Sequence, residues 1–337
     1  MAREWTWGFE IGSEDYNEYD GNTVVSTWFP RRTGLYHCAT GYDWYVRKML
    51  AADKTELYIR LPQYPDSPNE AVDRMLLTCW NSDIERMVGI MTVAHTGQIK
   101  VARWEGGAWV VLATSALTLT LDTYQCIEAH IHLDNAGDFD IRVDDVDWIT
   151  FPGDTLGDQT PASIRYVRWG GDGTTLGRQG HMDDLAINDT TGAVNNSWCG
   201  RGGVYPLVPS AAGDVTGLVP SALANWQCVD EVPPNTTDWV SDSVVDDYDL
   251  YQTADPTPVA GTVINLRMFA TAKLSEAGAG SGALMMKTNA AEYTGTDTAL
   301  DTTWRWLTKL EYQLNPVTGV RFTLAEIQAL QIGVKVR

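Results

Sequence analysis

The fold is decided by the stretch TYQCIEAHIHL at Thr123–Leu133, which is followed by the turn DNAG at Asp134–Gly137 and by DFDIRVDDV at Asp138–Val146. A period of two in the first segment places Ile127 and its alternate neighbours on one face, and His130 and its alternates on the other. Asn and Gly accept left-handed backbone angles, so DNAG favours a hairpin turn. The stretch predicts an antiparallel β-hairpin with one buried face.

Comparable strand signals, separated by turn residues, recur on the N-terminal side of this hairpin. They stand at Thr55–Arg60, Arg74–Thr78, Gln98–Trp104 and Trp109–Ala113. Short strands at intervals of about 8–12 residues are typical of antiparallel sandwiches. No βαβ pattern and no long helical period is present, so the sequence predicts an all-β architecture.

A change of composition divides the chain. Residues 201–220 are rich in Gly, Pro, Ser and Ala without an apolar period, and they predict a linker. It would separate a first domain at 1–200 from a second, smaller β-sandwich at 221–337. In the second domain Thr323 and Glu326 form a capping-box pattern that predicts a short helix over Leu324–Leu330. A last strand is expected at Ile332–Val336.

Net charge excludes two classes of partner. The 44 Asp and Glu residues outnumber the 24 Lys and Arg residues, which gives a net charge of −20. A chain this acidic repels phosphate backbones and anionic membranes, so neither nucleic acid nor a membrane surface is an expected partner. The five cysteines lack CxxC spacing, and without an export signal they are expected to be buried free thiols.

Three segments of the first domain carry a resemblance. GFE at Gly8–Glu10, the hairpin strand at Gly137–Val143 and HMDDLAIND at His181–Asp189 are similar to segments of concanavalin A-like, or laminin-G-like, jelly rolls. This resemblance implies an antiparallel jelly-roll sandwich for residues 1–200. It does not fix a function, because such folds host many.

The C-terminal sequence PVTGVRFTLAEIQALQIG at Pro316–Gly333 resembles the ending of modules in tailed-bacteriophage virion proteins, with Phe322 where Trp is common. The resemblance implies a structural protein of a phage particle, made in the host cytoplasm and present in the virion in several copies. Its partners would be other virion proteins. A host-attachment module that binds bacterial surface polysaccharide is the alternative function.

Motifs for catalysis are missing from the sequence. There is no E-x-D-x-x-E pair of carboxylates, no G-x-S-x-G elbow, no P-loop and no H-E-x-x-H. The chain is therefore expected not to be an enzyme, and a glycan depolymerase is the weakest of the three alternatives.

Two groups of side chains suggest metal ligands, although no cofactor is required. Asp134, Asn135, Asp138 and Asp140 offer the oxygen donors that calcium prefers, while ordinary hairpin chemistry accounts equally for the turn. His130 and His132 share a strand face with Glu128, which makes a metal trio conceivable; a polar outer face is the simpler interpretation. Asp183 and Asp184 form a further acidic pair.

Aromatic residues are concentrated in the first domain, where ten of the 14 tryptophans precede residue 200. Exposed rings stack on sugars, so rings near dense turns are candidates for carbohydrate binding. These candidates are Trp28, Tyr42, Trp44 and Tyr45. Packing in the core is the competing interpretation for each of them.

Overall fold

The structure is a computed structural model that describes residues 3–10, 20–22, 24–26, 32–34, 36–40, 45–65, 71–171, 180–255 and 261–337. The chain forms two compact units, Met1–Val204 and Tyr205–Arg337. Both consist of antiparallel strands. Within the described ranges no helix is long and apolar enough to cross a membrane.

The first unit contains two large sheets. Its strands in the described residues are β1 Arg3–Trp7, β2 Asp20–Asn22, β3 Val24–Ser26, β4 His37–Thr40, β5 Tyr45–Lys54, β6 Glu56–Pro65, β7 Arg74–Trp80, β8 Arg86–Thr92, β9 Gln98–Glu105, β10 Ala108–Thr118, β11 Gln125–His132, β12 Gly137–Val143, β13 Val146–Gly153, β14 Ile164–Gly170, β15 Gly180–Met182 and β16 Leu185–Asp189. The seven-stranded sheet has the order β10-β9-β8-β7-β14-β5-β2. The nine-stranded sheet has the order β13-β12-β11-β6-β15-β4-β3, and β16 pairs with both β6 and β1.

The hairpin predicted at residues 123–146 is confirmed. Strand β11 pairs with β12 from Ile127 opposite Val143 to His132 opposite Asp138. Burial alternates along β12 as the period of two requires, because only one face meets the core. The register therefore fixes which side chains of this hairpin face outward.

The core of the first unit lies between its two sheets. Trp5 of the nine-stranded sheet contacts Trp169 of the seven-stranded sheet with ring centroids 5.3 Å apart, and both are fully buried. Leu57, Ile59 and Ile127 are also fully buried. Burying each such side chain stabilises the fold by about 1.5–3 kcal/mol. The five cysteines are buried and free, as the sequence predicts.

The second unit is built on a six-stranded sheet. Its elements are β17 Pro209–Thr216, β18 Val219–Pro220, a 3₁₀ turn at Asn225–Cys228, β19 Val240–Ser241, β20 Tyr248–Thr253, β21 Leu266–Met268, β22 Thr271–Ala272, β23 Ser281–Thr288, β24 Ala291–Thr294, β25 Thr298–Ala299, β26 Arg305–Trp306, β27 Leu310–Tyr312, α1 Leu324–Gln328 and β28 Gln331–Val336. The sheet has the order β17-β20-β28-β23-β24, with β25 on β23. Small two-stranded sheets join β18 to β19, β21 to β27 and β22 to β26.

Much of the predicted linker at 201–220 is not a linker. Strand β17 occupies residues 209–216 and pairs with β20 at the edge of the six-stranded sheet. An edge strand gains its order from backbone hydrogen bonds on one side, so small residues without an apolar period suffice. The division between the units falls at Val204 and Tyr205, before this strand.

The short C-terminal helix is confirmed with its cap. The Thr323 hydroxyl accepts a hydrogen bond from the Glu326 amide at 3.2 Å, and the Glu326 carboxylate accepts one from the Thr323 amide at 2.8 Å. This is the reciprocal capping box that the sequence predicts. Ile327 then packs into the core of the second unit beside Phe322. The last strand follows at residues 331–336.

Candidate functional site

The outward face of the seven-stranded sheet carries a continuous line of aromatic and arginine side chains. We name it the aromatic–arginine row. Six strands that are neighbours in the sheet contribute one residue each. They are Tyr45 on β5, Arg168 on β14, Trp80 on β7, Arg86 on β8, Trp104 on β9 and Trp109 on β10.

Rings and guanidinium groups alternate along most of this row. The Arg168 Cζ atom lies 3.7 Å from the centroid of the Tyr45 ring and 6.0 Å from that of Trp80. The Arg86 Cζ atom lies 4.7 Å from Trp80 and 4.9 Å from Trp104. Trp104 and Trp109 meet edge to face at 5.1 Å. Each contact falls in the range of a cation–π or aromatic pair, so the row is held in a fixed arrangement.

Strand alternation explains why these side chains point outward. On β14, Val167 and Trp169 are buried in the core, so Arg168 between them must face the other way. All six residues of the row are partly exposed. The row therefore lies on a surface that a ligand reaches from solvent.

Positive charge is concentrated beside the row. Arg47 on β5 stands directly opposite Arg168 in the strand register, and its Cζ atom lies 5.2 Å from the Tyr166 ring. Asp20 on β2 stands opposite Arg47 on its other side in the register. The guanidinium groups therefore offer contacts to a negatively charged ligand within a sheet that also carries an acidic residue.

A cleft of about 460 Å³ adjoins one end of the row. Arg86 and Trp104 line both the row and the cleft, and the hairpin glycines Gly106 and Gly107 form part of its wall. Its polar lining includes Asp158, whose side chain accepts a hydrogen bond from the Gly106 amide at 3.3 Å. Hydroxyl groups of a ligand would find both donors and acceptors in this cleft.

Of the four aromatic residues predicted to bind carbohydrate, Tyr45 belongs to the row. Trp28, Tyr42 and Trp44 lie outside the described residues. Sequence reasoning missed the other five members of the row. One local signal existed in IRYVRWG at Ile164–Gly170, where Arg and Tyr alternate with buried residues.

A second group of polar side chains lies on the outward face of the nine-stranded sheet. We name Glu56, His130, Asp138 and Asp140 the histidine–carboxylate cluster. His130 Nε2 lies 2.8 Å from Glu56 Oε1, and His130 Nδ1 lies 2.8 Å from Asp138 Oδ1 and 3.5 Å from Asp140 Oδ2. The His130 ring stacks on Tyr58 with centroids 4.3 Å apart. Burial, together with the carboxylates of Glu56, Asp138 and Asp140, raises the pKa of Tyr58.

The structure separates the four residues predicted as calcium ligands. Asp138 and Asp140 join His130 on the sheet, whereas the Asp134 carboxylate accepts a hydrogen bond from the Ala136 amide at 2.8 Å inside its own turn. Asn135 is exposed in the same turn. The conceivable trio with Glu128 does not assemble, because Glu128 is buried and accepts a hydrogen bond from the Gly200 amide at 2.6 Å.

The acidic pair Asp183 and Asp184 is fully buried. Asp184 accepts hydrogen bonds from Arg32 Nη1 at 2.8 Å, from the Thr33 hydroxyl at 2.7 Å and from the Val204 amide at 2.6 Å. These donors compensate the burial of its charge. Among the described residues, Asp183 accepts hydrogen bonds from backbone amides only. Burial, and then the neighbouring Asp184 carboxylate, raise the pKa of Asp183 above the usual range.

Replacing Asp183 by asparagine should change the pH dependence of stability. A carboxyl group with a raised folded-state pKa stabilises the fold below its unfolded pKa and loses that contribution as pH rises through the folded value. We therefore expect the free energy of unfolding of the Asp183→Asn chain, relative to that of the natural chain, to be higher at pH 8 than at pH 5. Urea midpoints at both pH values measure this difference. The exposed Asp145→Asn serves as the control, and an equal difference at the two pH values would contradict the assignment.

No protein-family model matches the chain, and no curated protein matches it. Several solved structures are similar to it in fold. The cellulose-induced protein Cip1 is 13% identical over 59% of this chain and 100% of that chain, with a TM-score of 0.45. An endo-β-1,4-glucuronan lyase from the fungus Trichoderma reesei is 14% identical over 56% and 96%, with a TM-score of 0.43. The carbohydrate-binding module CBM66 from Bacillus subtilis is 10% identical over 52% and 98%, with a TM-score of 0.35.

These similarities concern the fold and not the chemistry of the site. The strand order of the chain itself shows an all-β protein whose first unit is a jelly-roll sandwich of antiparallel sheets, which confirms the predicted fold class. What its surface binds depends on the side chains that the sheets present and not on the fold.

Proposed function

We propose that the first unit binds an acidic polysaccharide along the aromatic–arginine row. The observation that carries this proposal is the alternation of rings and guanidinium groups from Tyr45 to Trp104. Aromatic rings stack on the apolar faces of sugars, and guanidinium groups pair with carboxylates through two parallel hydrogen bonds. A chain of uronic acid residues presents both features in a regular repeat.

The dimensions of the row suit an extended ligand. Its six strands are separated by five steps of about 4.8 Å, so it extends over roughly 24 Å. A ligand of this length is an oligosaccharide segment of several residues and not a single sugar. The adjoining cleft then receives the hydroxyl groups of the residue beyond Trp104.

The charge distribution favours binding through local ion pairs over general attraction of polyanions. The whole chain carries a net charge of −20, so it repels polyanions at long range. Local attraction for an acidic glycan comes from contacts with the Arg47, Arg86 and Arg168 side chains. Such a site selects a ligand whose carboxylates match the spacing of the arginines.

Calorimetric titration with matched oligosaccharides tests the proposal. We expect a uronate oligosaccharide to bind at the first unit, and its neutral counterpart of equal length and linkage to bind at least tenfold more weakly. Affinity for the acidic ligand should fall as salt concentration rises, because ion pairs are screened. Equal affinity for the two ligands, or binding to neither, would refute the proposal.

The proposed role is binding without turnover. Incubation of the chain with the polymeric ligand, followed by absorbance of unsaturated uronates and by a reducing-sugar assay, checks this point. We expect no product in either assay. Accumulation of product would instead make the row the substrate-binding part of an enzyme.

A place in a phage particle remains a prediction from the C-terminal motif at residues 316–333. Glycan binding would then serve attachment to a bacterial surface polysaccharide, and virion proteins would be the other partners. Location of the chain in a purified particle by labelling tests this prediction. A particle assembled without the chain would contradict it.

A further inference from the structure

We propose that the histidine–carboxylate cluster on the nine-stranded sheet is a binding site for a divalent transition metal, with zinc as the best match. The ligands are His130 through Nδ1, Asp138 and Asp140. This inference does not depend on the proposed glycan function, because the cluster and the aromatic–arginine row lie on different sheets.

The strand register brings the three ligands together. His130 on β11 stands directly opposite Asp140 on β12, and Asp138 is two residues away on the same face of β12. One ligand atom from each residue lies within 4.8 Å of the other two. Since these positions are set by a regular hairpin with backbone pairing, the donor set is preorganised before a metal arrives.

The interatomic distances suit metal coordination. Two ligands bound tetrahedrally to zinc at about 2.0–2.1 Å stand about 3.3 Å apart. His130 Nδ1 lies 2.8 Å from Asp138 Oδ1 and 3.5 Å from Asp140 Oδ2, values on either side of that separation. The third pair, between the Asp138 and Asp140 oxygens, lies within 4.8 Å, so binding requires the carboxylates to draw together around the metal.

The Nε2 side of the His130 ring contacts a further carboxylate. His130 Nε2 lies 2.8 Å from Glu56 Oε1, so Glu56 orients the ring and would accept the Nε2 proton when Nδ1 binds a metal. Metal-bound histidines typically donate their other ring proton to a carboxylate in this way. The stacked Tyr58 ring fixes the plane of the imidazole. Together they hold Nδ1 facing Asp138 and Asp140.

Charge balance and access favour a cation at this point. Three carboxylates surround His130, and one of them, Asp138, also lies 3.4 Å from His132 Nδ1 through its Oδ2 atom. Asp140 Oδ1 is buried without a hydrogen-bond partner in the part of the chain that the structure describes. The His130 side chain is 13% exposed and that of Asp140 is 27% exposed, so a metal reaches them from solvent. One nitrogen with two oxygens suits zinc, whereas calcium prefers ligands that are all oxygen.

Titration of the EDTA-treated full chain with zinc chloride tests the site. We expect one zinc ion per chain and a rise in Tm of about 5 °C at a hundredfold excess over Kd. His130→Gln and Asp140→Asn should each weaken zinc binding at least tenfold. His95→Asn removes an exposed histidine in the turn between β8 and β9 and should change neither value.

Three results would overturn the proposal. They are an absence of saturable zinc binding, zinc affinity that His130→Gln leaves unchanged, and calcium binding that depends on Asp140 but not on His130. Cobalt absorption of the unsubstituted chain provides a readout if the variants fold poorly. Visible bands of intensity typical of tetrahedral cobalt support the site, and the weak bands of hydrated cobalt alone contradict it.

Discussion

Replacement of Trp80 by alanine will weaken the binding of an acidic oligosaccharide about 100-fold, an effect of the size found at central interface residues. Trp80 occupies the middle of the aromatic–arginine row, 4.7 Å from Arg86 and 6.0 Å from Arg168. Its loss removes a stacking surface for the sugar. It also releases two guanidinium groups whose positions depend on cation–π contact with the same ring.

Calorimetric titration of the natural and Trp80→Ala chains measures this effect, with circular dichroism to verify that the sheets remain folded. The matched control is Trp239→Ala in the second unit, where the ring is 43% exposed and lies outside the row. This control should bind with natural affinity. Unchanged affinity in Trp80→Ala would show that the row is not the binding surface.

Arg168→Gln tests the contribution of charge to binding separately from that of ring stacking. It keeps a polar side chain of similar reach and removes the charge that faces Tyr45 and Trp80. We expect the preference for an acidic over a neutral oligosaccharide to shrink, and the salt dependence of binding to become shallower.

Replacement of Asp249 by alanine will lower the free energy of unfolding of the second unit by about 3–5 kcal/mol, the range for a disrupted buried polar network. Asp249 is fully buried on β20. One carboxylate oxygen accepts hydrogen bonds from the amides of Gly217 and Leu218 at 2.8 and 2.9 Å. The other accepts from Asn225 Nδ2 and the Tyr251 hydroxyl, both at 2.7 Å. Alanine leaves the Leu218 amide and the Tyr251 hydroxyl, both in buried residues, without this acceptor, whereas the Gly217 amide and Asn225 Nδ2 keep the Tyr248 and Leu218 carbonyl oxygens.

Urea unfolding of the full chain, followed by tryptophan fluorescence, measures this loss as an earlier transition of the second unit. The control is Asp214→Ala, which removes an exposed carboxylate paired with Lys287 and should leave the midpoint unchanged. Asp249→Asn retains one acceptor oxygen, so its urea midpoint should lie between those of the natural and the Asp249→Ala chains. A midpoint for Asp249→Ala equal to the natural one would contradict the network.

Local sequence patterns were sufficient for much of the fold. The alternation in residues 123–146 fixed a hairpin and its buried face, and the Thr323–Glu326 pair fixed the start of the only α-helix among the described residues. These features depend on neighbours within a few residues, so the sequence carries them directly. Strand β17 escaped detection because its order comes from pairing with β20, about forty residues away along the chain.

The candidate sites were only partly accessible from sequence. Tyr45 was singled out as a sugar-binding ring, and Asp138 and Asp140 as metal ligands, on the grounds of residue type and turn density. His130 was grouped with His132 and Glu128 on its own strand, and its place beside Asp138 and Asp140 follows only from the pairing of β11 with β12. The remaining members of the row are scattered over residues 80–168.

The sequence by itself determined that this protein is an acidic, all-β chain with buried thiols and a capped C-terminal helix, because composition and short-range periodicity act through local physics. The tertiary structure alone decided which outward side chains stand together. Four strands of the row, β7 to β10, follow one another along the chain, whereas β14 and β5 are brought beside them from distant segments. The pairing order places a ring or a guanidinium group at each step of about 4.8 Å. That order is set by long-range backbone pairing and core packing, which no local pattern encodes.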